Sequence, residues 1–508
     1  MPDTTNPPTA NETLDPEDWQ QFRALAHAAL DDALDLVERV RERPVWQPVP
    51  ADVKSALSGP VPLEPASFKS VYAEFASQIL PFGTGNIHPR FFGWVHGAGQ
   101  PGGIVAEMMA AAMNSNCGGR DHGAIYVERQ VIEWCKGLFG FPAKASGLLV
   151  SGTSMANLIG LVVARNSVLS DVRKDGVAAH GGKYCAYASA ETHSSVFKTF
   201  EIMGLGSSAV RKIAVDDAYR MDVAALRDAI AADRRKGLIP FCVVATAGTV
   251  NTGAIDDLDE IAKLCAEEQA WFHVDAAFAG LCVLSDRLRG RLAGIEKADS
   301  IAFDFHKWAQ VQYDVGCVLV RDGEKHRAAY SEYPAYLYSA AGALGGGDAW
   351  PCEFGPELSR GFRALKVWFA FKEHGTRKLG RVIERNCVHA EHLAKRVAAA
   401  AELELLARCD LNIVCFRFHP PGVDEAALGA LNEQIVAALQ RSGVAAPSAT
   451  RLGEKIAIRV NITNHRTRRA DLDVLLESVV TTGWELLRFG RASKSLHAGI
   501  RSLKVRAP

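Results

Sequence analysis

Four short segments of this 508-residue chain carry residue types that can react or bind. Asp304-Phe-His306-Lys307-Trp308 follows the apolar run Ser300–Phe303. A lysine at a strand end among apolar neighbours can attack an aldehyde, because desolvation disfavours its ammonium form. Trp271-Phe-His-Val-Asp275-Ala-Ala277 closes a hydrophobic run with an acid, which is costly to bury without a cationic partner. A protonated ring nitrogen is one such partner; a helix N-cap or a metal-ligand role is the alternative. Ser151-Gly-Thr153-Ser154-Met-Ala-Asn157 follows Leu148–Val150 and opens a helix. Its hydroxyls and N–H groups suit an anion at the positive end of a helix dipole, or an ordinary capping turn. Glu191-Thr-His193-Ser-Ser195 follows Tyr184–Ala188 and offers an imidazole that could stack on a flat ring.

An aldehyde, a ring nitrogen, a ring face and a phosphate are what a protein must hold to use pyridoxal 5′-phosphate (PLP), and the four segments supply one group for each. Other motifs fail on context. Gly97-Ala-Gly-Gln-Pro-Gly102 matches a dinucleotide fingerprint, but a helix over Ile104–Asn114 stands where a second strand is needed. Gly204-Leu-Gly-Ser-Ser-Ala209 follows a helix rather than a strand. His389 and His392 have no third ligand placed nearby and read as surface polarity.

The elements that must position these groups follow from hydrophobic patterning. Apolar strands are expected at Gly147–Val150, Tyr184–Ala188, Phe241–Ala245, Trp271–Val274, Ser300–Phe303 and Gly316–Val320. Helices at Ser154–Leu169, Val223–Asp233 and Leu258–Gln269 lie between some of them. Such alternation argues for an α/β sheet covered on both faces, with its site at the C-terminal strand ends. Residues 1–12 read as a leader without regular structure, and helices follow at Asp15–Arg43 and Phe68–Leu80. A long helix is expected from Phe362 to Ala401. The strands Asn412–Phe418 and Lys455–Val460, with helices at Asp424–Arg441 and Arg469–Arg488, make a smaller α+β domain. The expected boundaries are 1–87, a helical segment packing on another subunit; 88–380, the large domain; 381–490, the small domain; and 491–508, a basic tail.

Composition excludes other classes. A 48% hydrophobic, 23% charged chain of net charge −1 suits neither nucleic acid nor an anionic membrane as a bulk partner. The acidic, polar start is no secretory signal, and no apolar run is long enough to span a bilayer. Eleven scattered cysteines without a CxxC fit reduced, mostly buried thiols in a cytoplasmic protein.

With SGTSMAN, ETHSS, HVDAAFAG and HKW in this order, the chain resembles the group II PLP-dependent decarboxylases, the family of aromatic-L-amino-acid decarboxylase. The likeness runs from about residue 15 to residue 490 and includes His88-Pro-Arg-Phe-Phe-Gly-Trp94, Ile239–Thr249 and Arg360–Trp368. It implies the aspartate-aminotransferase-like PLP fold (fold type I) and a homodimer with active sites at the subunit interface. By resemblance, Lys307 would hold PLP as a Schiff base, Asp275 would pair with the ring nitrogen, and His193 and Ala277 would cover the two ring faces. Thr153, Ser154 and Ser300 would hold the phosphate, with Asp304, His306 and Thr249 in the cofactor's surroundings. Tyr336 matches the tyrosine of the family's catalytic loop. Trp94, Val95, Ser359 and Arg360 fall in segments that meet substrate.

Departures bear on substrate. Many relatives carry Asn at the position of Asp304, and the pocket segment reads Trp94-Val95-His-Gly97 in place of the animal aromatic enzymes' Tyr-Phe-Pro-Thr. Ser359 stands where relatives acting on phenols or imidazoles tend to carry Ser and those acting on indoles Gly. The expected activity is decarboxylation of an aromatic L-amino acid of phenol or imidazole type to its amine and CO2. Alternatives are an aldehyde synthase, a decarboxylase of an acidic or diamino acid, to which Arg120-Asp121-His122 would point, and an inactive PLP-fold binding protein.

Overall fold

The computed structural model describes residues 13–332, 344–345 and 349–503, with side chains described as far as Arg488. The leader at 1–12 and Tyr336 lie outside the described residues. The chain divides into two compact units, Met1–Gly85 and Asn86–Pro508.

The first unit contains the helices Trp19–Glu38, Ala51–Ala56 and Phe68–Gln78. Asp18 caps the first, accepting from the N–H groups of Gln20 and Gln21. Phe22 packs on Phe68 at 5.0 Å between ring centres, and Tyr72 donates to Asp32. Phe68, Val71, Phe75 and Ile79 remain exposed.

The second unit is built on a sheet of β1 (Ser146–Val150), β2 (Tyr184–Ser189), β3 (Val210–Ile213), β4 (Ile239–Thr246), β5 (Trp271–Asp275), β6 (Ser300–Asp304) and β7 (Gly316–Val320). Their spatial order is β1-β7-β6-β5-β4-β2-β3, and only β7 runs against its neighbours. The central strands are largely apolar on both faces because both are covered. Along β6, Ile301 and Phe303 join one core with the helices Gly123–Phe139 and Leu258–Glu267. Ala302 faces the opposite core, beneath the helices Thr153–Val168 and Ser194–Ile202.

A second sheet contains β8 (Leu403–Leu405), β9 (Ile413–Phe418), β10 (Ser448–Leu452) and β11 (Lys455–Asn461) in the order β10-β11-β9-β8, all antiparallel. Its core takes Ala390 and Leu393 from the helix Ala364–Ala399, Leu431 and Ile435 from Glu425–Ser442, and Leu475 from Arg469–Leu503. Two sequence expectations change here. The long helix is broken at Gly375, whose φ of 66° is left-handed. His389 is buried, not at the surface, because it shares the inward face of its helix with Asn386 and Leu393. No group of three metal-ligating side chains occurs among the described residues. All eleven cysteines are unpaired, nine of them buried.

Candidate active site

The parallel strands stop in register. Thr246, the last residue of β4, lies beside Asp275, the last of β5, which lies beside Ala302 of β6. The polar groups that follow these strands therefore converge on one cavity of about 320 Å³.

Lys307 stands in the turn Phe305–Trp308 directly after β6. The turn is fixed by Trp308, which stacks on Phe278 at 4.9 Å and donates Nε1–H to Asn386. A methyl group on Gly97 would overlap the carbonyl oxygens of His306 and Lys307, so the fingerprint-like glycine serves close packing under this turn. Lys307 Nζ lies 2.8 Å from Asp304 Oδ2. Asp304 Oδ1 accepts the Thr153 N–H at 2.8 Å, and a methyl group on Gly316 would come within 2.8 Å of that oxygen. Burial pushes the Asp304 carboxyl up, but the charges of Lys307 and His306 and the hydrogen bonds from Lys307 and Thr153 prevail and hold it below its usual range. His306 accepts the Val315 N–H at Nδ1, so its neutral ring carries the proton on Nε2, 3.6 Å from Asp304 Oδ2. Burial lowers its pKa against the opposing pull of Asp304.

Asp275 is 4% exposed and accepts from Asn157 Nδ2 at 2.9 Å and from the Ala277 N–H at 3.1 Å. No cationic side chain among the described residues pairs with it. Opposite, His193 caps the helix Ser194–Ile202, and its Nδ1 lies 2.8 Å from Ser195 Oγ and accepts the Ser195 N–H at 3.2 Å. At the start of Thr153–Val168, the Thr153 hydroxyl is buried without a hydrogen-bond partner among the described residues. Buried groups of this kind are normally satisfied. An orphan hydroxyl at a helix N-terminus, an unpaired carboxylate and an amine on one cavity fit the phosphate, ring nitrogen and aldehyde of PLP.

Lys307, Asp275, His193, Ala277, Thr153, Ser154, Asp304, His306, Trp94 and Val95 all line this cavity. Four expected residues do not. Ser300 begins β6, at the end of the strand far from the cavity, and its hydroxyl is engaged there, 2.8 Å from Trp271 Nε1 and 2.7 Å from His273 Nδ1. Thr249 is fully buried and ties its own turn, bonding Thr252 and accepting the Ala254 N–H. Arg360 pairs with Glu128 and donates to the Cys117 and Leu149 carbonyls, a buried clamp rather than a substrate contact. Ser359 is exposed and lines no part of this cavity. Arg120 covers Trp350, Asp121 accepts from Tyr126, and His122 contacts the Asn116 carbonyl, all outside the cavity.

Thr246, Ser195, Val250 and Phe278 also line the cavity and were not singled out from sequence. Thr246 was findable, since it ends the strand next to the one Asp275 ends. Arg459 was not. It reaches from β11 to the Val250 carbonyl at 2.7 Å and the Trp94 carbonyl at 2.9 Å, joining two cavity segments.

A mixed seven-stranded sheet with a lysine after one strand and an acid ending the next defines a PLP-dependent enzyme of fold type I. Residues 50–419 match the model of the pyridoxal-dependent decarboxylase conserved domain. An aromatic-L-amino-acid decarboxylase of Bacillus atrophaeus is 33% identical over 457 residues, 89% of this chain and 93% of that one. Mouse histidine decarboxylase is 29% identical, over 90% of this chain and 70% of its own length. The crystal structure of Oryza sativa TDC with PLP and tryptamine superposes with a TM-score of 0.86 at 27% identity, covering 93% of this chain and 100% of that one. The chain belongs to the pyridoxal-dependent decarboxylase family. It is a PLP-dependent carboxy-lyase acting on an amino acid.

Proposed function

We propose that the substrate is an aromatic L-amino acid bearing a phenol or imidazole ring, released as the amine with CO2. The observation that carries this reading is the composition of the cavity wall. Beyond the groups assigned to the cofactor, its described lining adds no charge: Trp94, Val95, Val250 and Phe278 are apolar or aromatic, and Ser195 and Thr246 contribute only hydroxyls. An acidic or diamino side chain would need a countercharge there. An aromatic ring needs only apolar area and one polar partner.

Bound PLP supplies the electron sink that takes up the electron pair left when CO2 departs. Lys307 is the amine that would hold the cofactor. Asp275, an acceptor fixed by Asn157 and Ala277, keeps the ring nitrogen's proton in place. His193, locked by Ser195, would present its ring as one wall, and Ala277 would pack against the other face. Thr153 and Ser154 would hold the phosphate through their hydroxyls at the positive end of the helix. Tyr336 is the acid proposed to return a proton to the substrate's α-carbon.

A homodimer is part of the same reading. Met108, Met109 and Met113 are exposed on the helix Pro101–Met113, as is Leu358 beside Ser359, an apolar surface suited to a second copy. Ser359 would then affect selectivity in the cavity of the partner, where its hydroxymethyl would favour a small polar ring over an indole. The unpaired cysteines support a reducing, cytoplasmic setting.

The test follows amine, aldehyde and hydrogen peroxide while L-tyrosine, L-DOPA, L-histidine, L-tryptophan, L-glutamate and L-2,4-diaminobutyrate compete. Amine from a phenol or imidazole substrate, with tryptophan at least about tenfold poorer in kcat/KM, is expected. Preference for tryptophan or an acidic substrate overturns the substrate reading, and aldehyde with peroxide overturns the product.

A further inference from the structure

Behind Asp275, on the side away from the cavity, a row of polar side chains crosses the layer between sheet and helix. Asn157, His273 and Ser300 are fully buried and Trp271 nearly so. Trp271 Nε1 lies 2.8 Å from Ser300 Oγ, which lies 2.7 Å from His273 Nδ1. His273 Nε2 lies 2.9 Å from Asn157 Oδ1, and Asn157 Nδ2 lies 2.9 Å from Asp275 Oδ2.

The chemistry of the two ends leaves one direction for the protons. An indole only donates, so Ser300 accepts from Trp271 and gives its own proton to His273 Nδ1. A neutral imidazole that accepts at Nδ1 carries its proton on Nε2 and donates it to Asn157 Oδ1. Asn157 then turns its NH2 toward Asp275, which as a carboxylate only accepts. Burial keeps His273 neutral, with a pKa lowered to about 3. Reversing any one link sets acceptor against acceptor. The covering helix is cut to fit: Gly160 lies on it one turn from Asn157, and a Cβ there would stand 3.0 Å from His273 Cε1 and 3.2 Å from Ser300 Oγ.

We propose that Ser300, His273 and Asn157 are positioning residues whose one-way hydrogen-bond chain fixes and aims the Asp275 carboxylate as the partner of the protonated ring nitrogen. The proposal rests on the reading of Asp275 as that partner. It also gives Ser300 a different task from the phosphate contact expected of it: it sets the His273 tautomer. Hydrogen bonds donated to the charged form of an acid favour that form, so the chain opposes the cost of burying Asp275.

The test uses holoenzyme reconstituted with PLP labelled with 15N in its ring, whose chemical shift at pH 8 reports whether that nitrogen is protonated. The wild-type nitrogen is expected to be protonated. In Asn157→Leu it should lose proton occupancy, and the PLP dissociation constant should rise about tenfold, as for one lost hydrogen bond to a charged group. Ser300→Ala, the milder change, should move both readouts the same way by about threefold, and it decides alone should Asn157→Leu not fold. A purely structural role would lower thermal stability and leave the 15N shift where it was, which overturns the proposal. Asp275→Asn separates the two layers. Deprotonation there, with wild-type shifts in Asn157→Leu and Ser300→Ala, overturns the chain alone. Retention of the proton in Asp275→Asn overturns the reading of Asp275 itself.

Discussion

Asp304 places a second carboxylate in a cavity that must also take a phosphate. It is 3% exposed, bonded to the Thr153 N–H and paired with Lys307, and these partners keep it ionised. Asp304→Asn keeps an oxygen for the Thr153 N–H and removes the charge, so PLP should bind at least about tenfold more tightly, because one charge in the same cavity at an effective dielectric near 20 is worth more than about 1.4 kcal/mol. Fluorescence titration of the cofactor-free protein measures this; weaker binding would mean that Asp304 acts through Lys307 rather than against the phosphate. At this scale the sequence shows which residues have chemistry but not always which way they face. Lys307, Asp275 and His193 were legible because each follows an apolar strand. Ser300 was misread because it begins β6, four residues before Asp304, about 13 Å along an extended strand. Arg360 was misread because a charged side chain beside a substrate segment looks functional until Glu128 is seen to neutralise it.

Among elements, the strands that sequence reading missed are β3, β8 and β10, and all three are sheet edges. An edge strand exposes part of its surface and carries charge there, as Arg211 and Lys212 do in β3, Glu404 in β8 and Arg451 in β10. A search for wholly apolar runs finds central strands, which is why β2, β4, β5, β6 and β7 were legible. Four strands that carry the site, β2, β4, β5 and β6, are central, and the fifth, β1, is an edge whose end at Leu148–Val150 is wholly apolar, so the site was readable where the sheet's outline was not. The antiparallel course of β7 follows from the length of its connection. Only residues 305–315 join it to β6, too few for the helical crossover that a parallel partner needs, and that count was open to reading. The Gly375 break escaped because one glycine in a long helical pattern usually costs stability without ending the helix.

Over the whole molecule, buried imidazoles set the acid limit. Burial lowers the pKa of His273 to about 3 and those of His326 and His465 to about 4. The unfolded chain takes up these protons below about pH 6.5 and the folded chain does not, so the contribution is present above pH 6.5 and is lost as pH falls toward 4. Between pH 7 and 5.5 the three together should cost about 4 kcal/mol. That is roughly a 4 °C fall in the Tm of the cofactor-free protein by calorimetry, and an unchanged Tm would show that the three rings can be protonated in place. Lys307 is the residue proposed to hold PLP in this cavity. Borohydride fixes the cofactor to whichever amine carries it, and peptide mapping by mass then identifies the residue. One pyridoxyl phosphate is expected, on the peptide containing Lys307, and none in Lys307→Ala; the label on any other lysine, or a wild-type protein that takes no label after incubation with PLP, would rule out Lys307 as the cofactor's anchor.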